Sequence, residues 1–270
     1  MSFTKQDKNG VVFHTCNAFT EAGGVAHGFA SRLGGVSQGD FAELNLSTTR
    51  PDSPDAVREN YARFCAAVGT DIHRLVMTHQ VHEDTIREVS AADIRSDLMS
   101  PVPYNADGLI TNESGFCLTI YYADCPPVLL YDPIKKVIAA VHSGWRGTAK
   151  AISPKAVQKM TLLYGSKPAD ILAAIGPGIC PVCFETHRDV PDAMTDALGE
   201  GVSSFFRPLG GGKYAVDLKG IIAWELEGAG LSTQNIHTLP LCTGCHPELY
   251  WSHRKIGDRR GNQAAMIQLL

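Results

Sequence analysis

A thiol and three imidazoles stand where a folded chain tends to present chemistry. Cys125 lies in "YADCPP", between the apolar runs "FCLTIYY" and "PVLLYDP". Pro126 and Pro127 oppose ordinary ladder pairing just after it, which places the thiol at a strand end. Taken alone, such a residue reads as a buried structural cysteine, because free cysteine is among the most buried side chains. A nucleophile and a metal ligand are the alternatives. His142 ends the apolar run "KVIAAV" and opens the loop "HSGWRGT" ahead of a helical segment. The loop also supplies Arg146 and a helix N-terminus, both suited to an anion such as phosphate. It matches neither a Walker A nor a G-x-G-x-x-G pattern. His79 and His82 in "THQVHED" are three residues apart, so in a strand or turn they point differently and only one is expected to serve the same site. One Cys with two His makes an open three-ligand zinc site whose fourth position is left to water or substrate. Such a metal would bring the pKa of its water to roughly 7 and hold the thiol as thiolate.

Eight cysteines are many for 270 residues but too few for a disulfide scaffold. Four of them form the pairs "CPVC" (Cys180, Cys183) and "CTGC" (Cys242, Cys245). The pairs sit far beyond the ~15–20 residue gap of a compact zinc ribbon, so buried or incidental thiols are expected rather than a shared zinc. "CTGCHPE" also joins C-x-x-C to H-x-E, the parts of the zinc nucleoside deaminases. Their order is reversed and the parts are fused, which argues against that site. "GPGICP" reads as a tight structural turn after a strand.

The elements that must position these groups are strands in the centre of the chain. "LVMTHQVHEDTIREV" (75–89) reads as two short strands around a polar turn. "ADGLIT" (106–111), "FCLTIYYADC" (116–125), "PVLLYDP" (127–133) and "KVIAAVH" (136–142) are short apolar runs bounded by Pro, Gly or Asp. "SPDAVRENYARFCAAVG" (53–69) predicts a helix capped by Ser53, with Pro54 at its first position and Gly69 at its end. Segment 148–164 is helical in spacing, with a kink or a new start expected at Pro154 after Ser153. A strand at 171–176, helices near 188–199 and 217–230, and strands near 235–239 and 265–269 complete the sketch. Strands and helices mix without regular βαβ alternation, which predicts one mixed α/β or α+β domain over 1–270.

Hydrophobic residues make up 44% and charged residues 19%, as in ordinary globular proteins, and the net charge of −4 gives no electrostatic case for nucleic acid or an anionic membrane. No window approaches ~18 consecutive apolar residues, and "MSFTKQDKNG" has no apolar signal core, so a cytoplasmic location is expected.

"SRLGGVSQGDFAELNLS", "QVHEDTI", "NADGLIT", "YADCPPVLLYDP", "AAVHSGWRGTAKAI", "AAIGPGICPVCFE" and "CTGCHPELYWSHR" occur in that order. Together they resemble the laccase-domain, or polyphenol oxidase, family of YfiH-like proteins, more recently described as purine nucleoside phosphorylases. The resemblance spans about residues 25–265. It implies an α+β fold of mixed β-sheets flanked by helices, with a Cys–His pair like that of cysteine hydrolases. It implies that His82 rather than His79, together with Cys125 and His142, forms the site and binds zinc, or copper as an alternative. It implies phosphorolysis of adenosine, inosine, guanosine or methylthioadenosine to ribose 1-phosphate and free base, with adenosine deamination as a side activity. The chain departs from the family at Glu83, where glycine is usual, at the additional Cys180, and in "HRKIGDRRGNQ", which shifts a C-terminal arginine pattern.

Arg146 is the expected phosphate contact, with Arg32, Ser37 and Asn45 of the glycine-rich N-terminal segment as further contacts. Asp124 is either a group that orients the site or a turn residue. A copper-dependent phenol oxidase is a rival, although ten scattered histidines do not supply multicopper motifs. A hydrolase with Cys125 as nucleophile and His142 as base is another. The expected partners are purine nucleosides and phosphate, acting on a monomer.

Overall fold

The apolar runs of the chain's centre are strands buried on both faces. The computed structural model describes residues 2–270. Its strands are β1 (Phe3–Lys8), β2 (Val11–Cys16), β3 (Val25–Ala30), β4 (Leu75–Val76), β5 (Ile86–Glu88), β6 (Gly108–Thr111), β7 (Cys117–Tyr122), β8 (Pro127–Asp132), β9 (Val137–His142), β10 (Leu172–Ile175), β11 (Glu185–His187), β12 (Phe206–Gly210), β13 (Lys213–Val216), β14 (Ile236–Thr238) and β15 (Gln263–Leu269). Its α-helices are α1 (Asn17–Ala22), α2 (Pro54–Val68), α3 (Trp145–Ala149), α4 (Ile152–Tyr164), α5 (Asp189–Leu198), α6 (Leu218–Gly228) and α7 (His253–Ile256). One sheet runs β1-β2-β3-β15-β7-β4, a second β14-β10-β8-β9-β6-β5, and a small third β11-β13-β12. Most pairs are antiparallel, while β4–β7, β5–β6 and β10–β14 are parallel. The fold is α+β with mixed sheets, as expected.

Alternation along single strands sets the layers. On β8, Leu129 and Tyr131 join a core shared with Phe29, Ile120 and Ile267 of the other large sheet. Val128 and Leu130 turn the opposite way, to Ile152 and Met160 of α4 and Ile222 and Leu226 of α6. On β15, Ala265 and Ile267 face the shared core, while Ala264 and Met266 pack with Tyr61, Phe64 and Val68 of α2. The order is helix, sheet, sheet, helix. With both faces of the two large sheets covered at their central strands, those strands read as unbroken apolar runs rather than alternating ones. The same parity positions the site. Ile138 and Ala140 of β9 face the seam between the sheets, so the period of two sends His142, the strand's last residue, to the rim of that seam.

Helix α2 forms as its sequence signals require. Ser53 accepts the Ala56 N–H, Pro54 opens the helix, and Gly69 ends it in left-handed backbone at φ 87°. The break in segment 148–164 falls at Ala151 (φ 55°), three residues before Pro154. A proline ring at 154 clashes with the carbonyl four residues earlier, so the helix must be interrupted upstream. Pro154 is then left in the first turn of α4, where its missing N–H costs nothing. Among the described residues no helix is long and apolar enough to cross a membrane.

Helix α6 carries a buried acid. Glu225 is 6% exposed and neither carboxylate oxygen has a hydrogen-bond partner. Burial pushes its carboxyl from its ordinary 4.5 up to about 8. Between those values the unfolded chain has released this proton and the folded chain keeps it, so this group lowers stability as pH rises. Glu225→Gln is therefore expected to gain on the parent by about 1.4 kcal/mol per pH unit across that window. Urea unfolding of both proteins at pH 5 and pH 7.5 measures the difference, and parallel pH curves would refute it.

Candidate active site

Strand register brings the reactive groups together. Pro127 opens β8 opposite His142 at the end of β9, and the carbonyl of Pro126 accepts the Ser143 N–H at 3.0 Å. Proline at the first residue of a strand is tolerated, so the ladder begins at Pro127 and only Pro126 stays outside it. This stands the turn carrying Cys125 over the end of β9. Ligand atoms of His82, Cys125 and His142 lie within 4.8 Å of one another. The His82 and His142 rings meet edge to face with centroids 4.9 Å apart.

Gly144, in the loop after β9, closes on the group. A Cβ there would stand 2.8 Å from the Cys125 sulfur and 3.2 Å from Cδ2 of His82. Gly144→Ala is therefore expected to displace the thiol and cost about 10²-fold in kcat/KM, the scale of a ~1 Å misplacement. Steady-state rates beside a thermal melt check this. Unchanged kinetics would show that the thiol has room to yield.

Asp107, which sequence reasoning did not single out, organises the site. It is fully buried and accepts the backbone N–H groups of Val81, His82 and Glu83, each at 3.0 Å. Its Oδ1 also bonds Nδ1 of His142 at 2.8 Å. Those three N–H groups hold His82 in left-handed backbone at φ 61°, a conformation that needs such support in a residue with a side chain. The Asp107–His142 bond turns the other ring nitrogen toward the thiol. Burial pushes the Asp107 carboxyl up, but the His142 bond and charge and the N–H donors outweigh it and leave the carboxyl below its ordinary range.

Burial likewise opposes charge on Cys125, yet His142 and His82 bring the thiol down to about 6. Burial opposes charge on His142 too, and the Cys125 and Asp107 charges raise it to about 9. Between these values, in the absence of metal, thiolate and imidazolium coexist.

These groups line a cavity of about 580 Å³, within the ~300–1,000 Å³ of small-molecule sites. Met99, Pro101, Val102 and Tyr121 give it apolar wall, and Arg50, Arg260 and Asn262 give it polar wall. The Nε of Arg260 is buried without a partner. Burial and the neighbouring Arg50 charge both lower the Arg260 pKa, and both side chains line this cavity.

The structure does not bring the expected phosphate contacts to this cavity. Arg146 is exposed and stacks on the adjacent Trp145 ring at 4.3 Å. The Arg32 guanidinium donates to the carbonyls of Ala42 and Pro247 and lies 3.7 Å over the Trp251 ring. Ser37 and Asn45 both donate to Asp52, at 2.7 and 2.8 Å. Asn45 acts at one remove, because its Oδ1 accepts the N–H groups of Ser47 and Asn262, two residues of the cavity wall. His79 lines the cavity but bonds Asn105 at 2.9 Å, outside the ligand group. Asp124 is a turn residue at φ 94°, its carboxylate accepting from the Thr243 hydroxyl at 2.6 Å and the Arg254 N–H at 2.7 Å. The "GPGICP" turn is structural as expected, since a Cβ on Gly178 would stand 2.8 Å from Pro126.

The two C-x-x-C pairs require a correction. They are not incidental, because sulfurs of Cys180, Cys183, Cys242 and Cys245 all lie within 4.8 Å of one another. Strands β10 and β14 are parallel neighbours, so both loops leave the same end of the sheet side by side. A long sequence gap is thereby closed. His246 and Glu248 only pair with each other at the surface, at 3.1 Å.

A family model described as multi-copper polyphenol oxidoreductase laccase matches residues 26–270. The chain belongs to this family. Among curated relatives, purine nucleoside phosphorylase YlmD of Bacillus subtilis is 32% identical over 245 residues, 90% of this chain and 88% of that one. The purine nucleoside phosphorylase of Deinococcus radiodurans is 35% identical over 249 residues, 91% of this chain and 89% of that one. The solved structure of YlmD from Geobacillus stearothermophilus superposes with a TM-score of 0.89 at 29% identity, covering 99% of this chain and 98% of that one. The fold is thus that of the family.

Proposed function

We propose that this protein is a purine nucleoside phosphorylase with adenosine deamination as a secondary activity. The observation that carries the reading is one cavity holding both a Cys–His–His donor set and two arginines, in a chain whose curated relatives bear the phosphorylase name. Of the two, Arg50 pairs only with the exposed Asp258, through its carbonyl at 3.0 Å and its carboxylate at 3.8 Å. In phosphorolysis a phosphate oxygen forms a bond to C1′ as the C1′–N9 bond breaks, and the purine leaves with the electron pair and takes a proton. Arg50 and Arg260 hold the phosphate, with Asn262 and the hydroxyls of Ser47 and Thr49 beside them. Met99, Pro101, Val102 and Tyr121 cover the faces of the base and keep water out. Gln80 fixes the Tyr121 wall by bonding its backbone N–H at 2.7 Å and carbonyl at 2.9 Å.

The donor set fits a metal. Its three atoms converge, the thiol is held toward thiolate, and Asp107 orients His142 as a carboxylate orients a ligating histidine. Zinc is the ion we assign, and copper would bind the same donors. Held by His82, Cys125 and His142, it would supply Lewis-acid polarisation and water activation for deamination. Cys125, His142 and Asp107 also line up as nucleophile, base and orienter, which favours a hydrolase as the second reading. Chelator-resistant activity with a trapped Cys125 adduct would select it.

The deciding experiment incubates the metal-loaded protein with adenosine, with and without phosphate, and follows adenine and inosine separately. Phosphate-dependent adenine is expected, with slower phosphate-independent inosine. Absence of phosphate-dependent adenine would sink the phosphorylase reading. Arg50→Met is expected to raise KM for phosphate about tenfold, the loss of one charge-assisted contact, with little change for adenosine. An unchanged KM for phosphate would move the anion site elsewhere.

A further inference from the structure

We propose that Cys180, Cys183, Cys242 and Cys245 hold a structural zinc ion that clamps the loop after β10 to the loop after β14, away from the catalytic donors. The spacing of the sulfurs carries the argument. A tetrahedral ion with Zn–S bonds of ~2.3 Å sets its sulfurs ~3.8 Å apart along each edge. The Cys245 sulfur stands 3.7 Å from that of Cys180 and 3.5 Å from that of Cys183. Bridging one partner rather than two would need ~2.05 Å. An iron–sulfur cluster would have to insert its own irons and sulfides among the thiolates and spread them further.

The loops are built as metal knuckles. The Cys180 N–H points at the Cys242 sulfur at 3.2 Å, a donor that stabilises a thiolate across the two loops. Within "CPVC" the N–H groups of Cys183 and Phe184 both return to the Cys180 carbonyl, at 3.0 and 2.8 Å, folding the loop so that both sulfurs face one point. In "CTGC", Gly244 lets the loops close, because a Cβ there would stand 3.1 Å from the Cys183 sulfur. Four thiolates around a dication leave a net charge of −2, and a buried cation is at hand. The Lys219 ammonium, 7% exposed, donates to the carbonyls of Leu239 and Leu241 immediately before Cys242.

The clamp has a consequence at the catalytic turn. Between the loop cysteines, the Thr243 hydroxyl bonds the Asp124 carboxylate, and just before them the Ile179 N–H bonds the Asp124 carbonyl at 2.7 Å. Asp124 precedes Cys125. Joining the two loops therefore seats the turn that presents the catalytic thiol, and the ion acts there as a positioning device.

The test uses the full chain carrying Cys125→Ala, which removes the catalytic ligand set, purified without added metal. About one zinc per chain is expected by elemental analysis, with an X-ray absorption first shell of sulfur only. Adding Cys245→Ser, at the most exposed of the four, should release that zinc or put oxygen into its shell. In the otherwise unaltered protein, alkylation followed by peptide mapping should find these four cysteines protected until chelator is added. Nitrogen in the shell, iron with sulfide, a mass lower by two hydrogens per disulfide, or zinc indifferent to Cys245→Ser would each overturn the proposal. So would four freely alkylated thiols in the native protein.

Discussion

Cys125→Ala is expected to lower kcat/KM for adenosine phosphorolysis by at least about 10³-fold, or about 4 kcal/mol of transition-state stabilisation. The expectation rests on convergence. The thiol is the one member of the donor set that both histidines address, and His142 and His82 together bring it to about 6. Removing it dissolves the ligand set and strips His142 of the anion that helps keep it charged. The fold should survive, since the side chain is small and sits at the rim of the seam rather than in a core cluster. Kinetics, zinc content and a thermal melt on the same preparation check the claim. Activity within tenfold of the parent would remove Cys125 from the chemistry.

Asp107→Asn is the second large effect, and it strikes fold and site together. An amide cannot accept all four of the hydrogen bonds that this carboxylate takes from Val81, His82, Glu83 and His142. These N–H groups belong to exposed residues and the bonds are only part-buried, so water takes up part of the loss and a stability cost of about 1–2 kcal/mol is expected. Loss of the orienting carboxylate should lower metal affinity and turnover by about 10–100-fold. One readout separates positioning from general destabilisation. In chelator-treated protein the Cys125 thiol is expected to titrate near 6, brought down by the charge and hydrogen bonds of His142 and His82. Without the Asp107 carboxylate the charge on His142 is less supported, so the midpoint for alkylation of Cys125 should move upward toward an ordinary thiol. An unmoved midpoint would reduce Asp107 to a structural role.

Much of the architecture was legible because its signals are local. Ser53, Pro54 and Gly69 delimit α2, and the runs at 116–125, 127–133 and 136–142 delimit β7, β8 and β9 to within a few residues. The N-terminal pair β1 and β2 and the small sheet β11-β13-β12 were not anticipated. β1, with the sequence "FTKQDK", buries Phe3 alone, and β12 is largely exposed, so neither carries a strong apolar pattern. Asp107 left only a weak trace, an acid directly ahead of the buried strand "GLIT". Arg50 left none, because nothing local distinguishes it from a solvated cation, and Arg260 showed only as part of the shifted arginine pattern in "HRKIGDRRGNQ".

By itself the sequence determined the family motifs and the residue types at the ends of β7 and β9, since strand ends and turns are written in neighbouring residues. Which groups meet was decided by pairing between distant strands. The antiparallel register of β8 on β9 set Cys125 over His142, and Asp107 drew His82 to them. The parallel pairing of β10 and β14 brought four cysteines together that their spacing had separated. Such contacts depend on sheet order, and sheet order is fixed by the burial of both faces of two sheets at once rather than by any short stretch of chain.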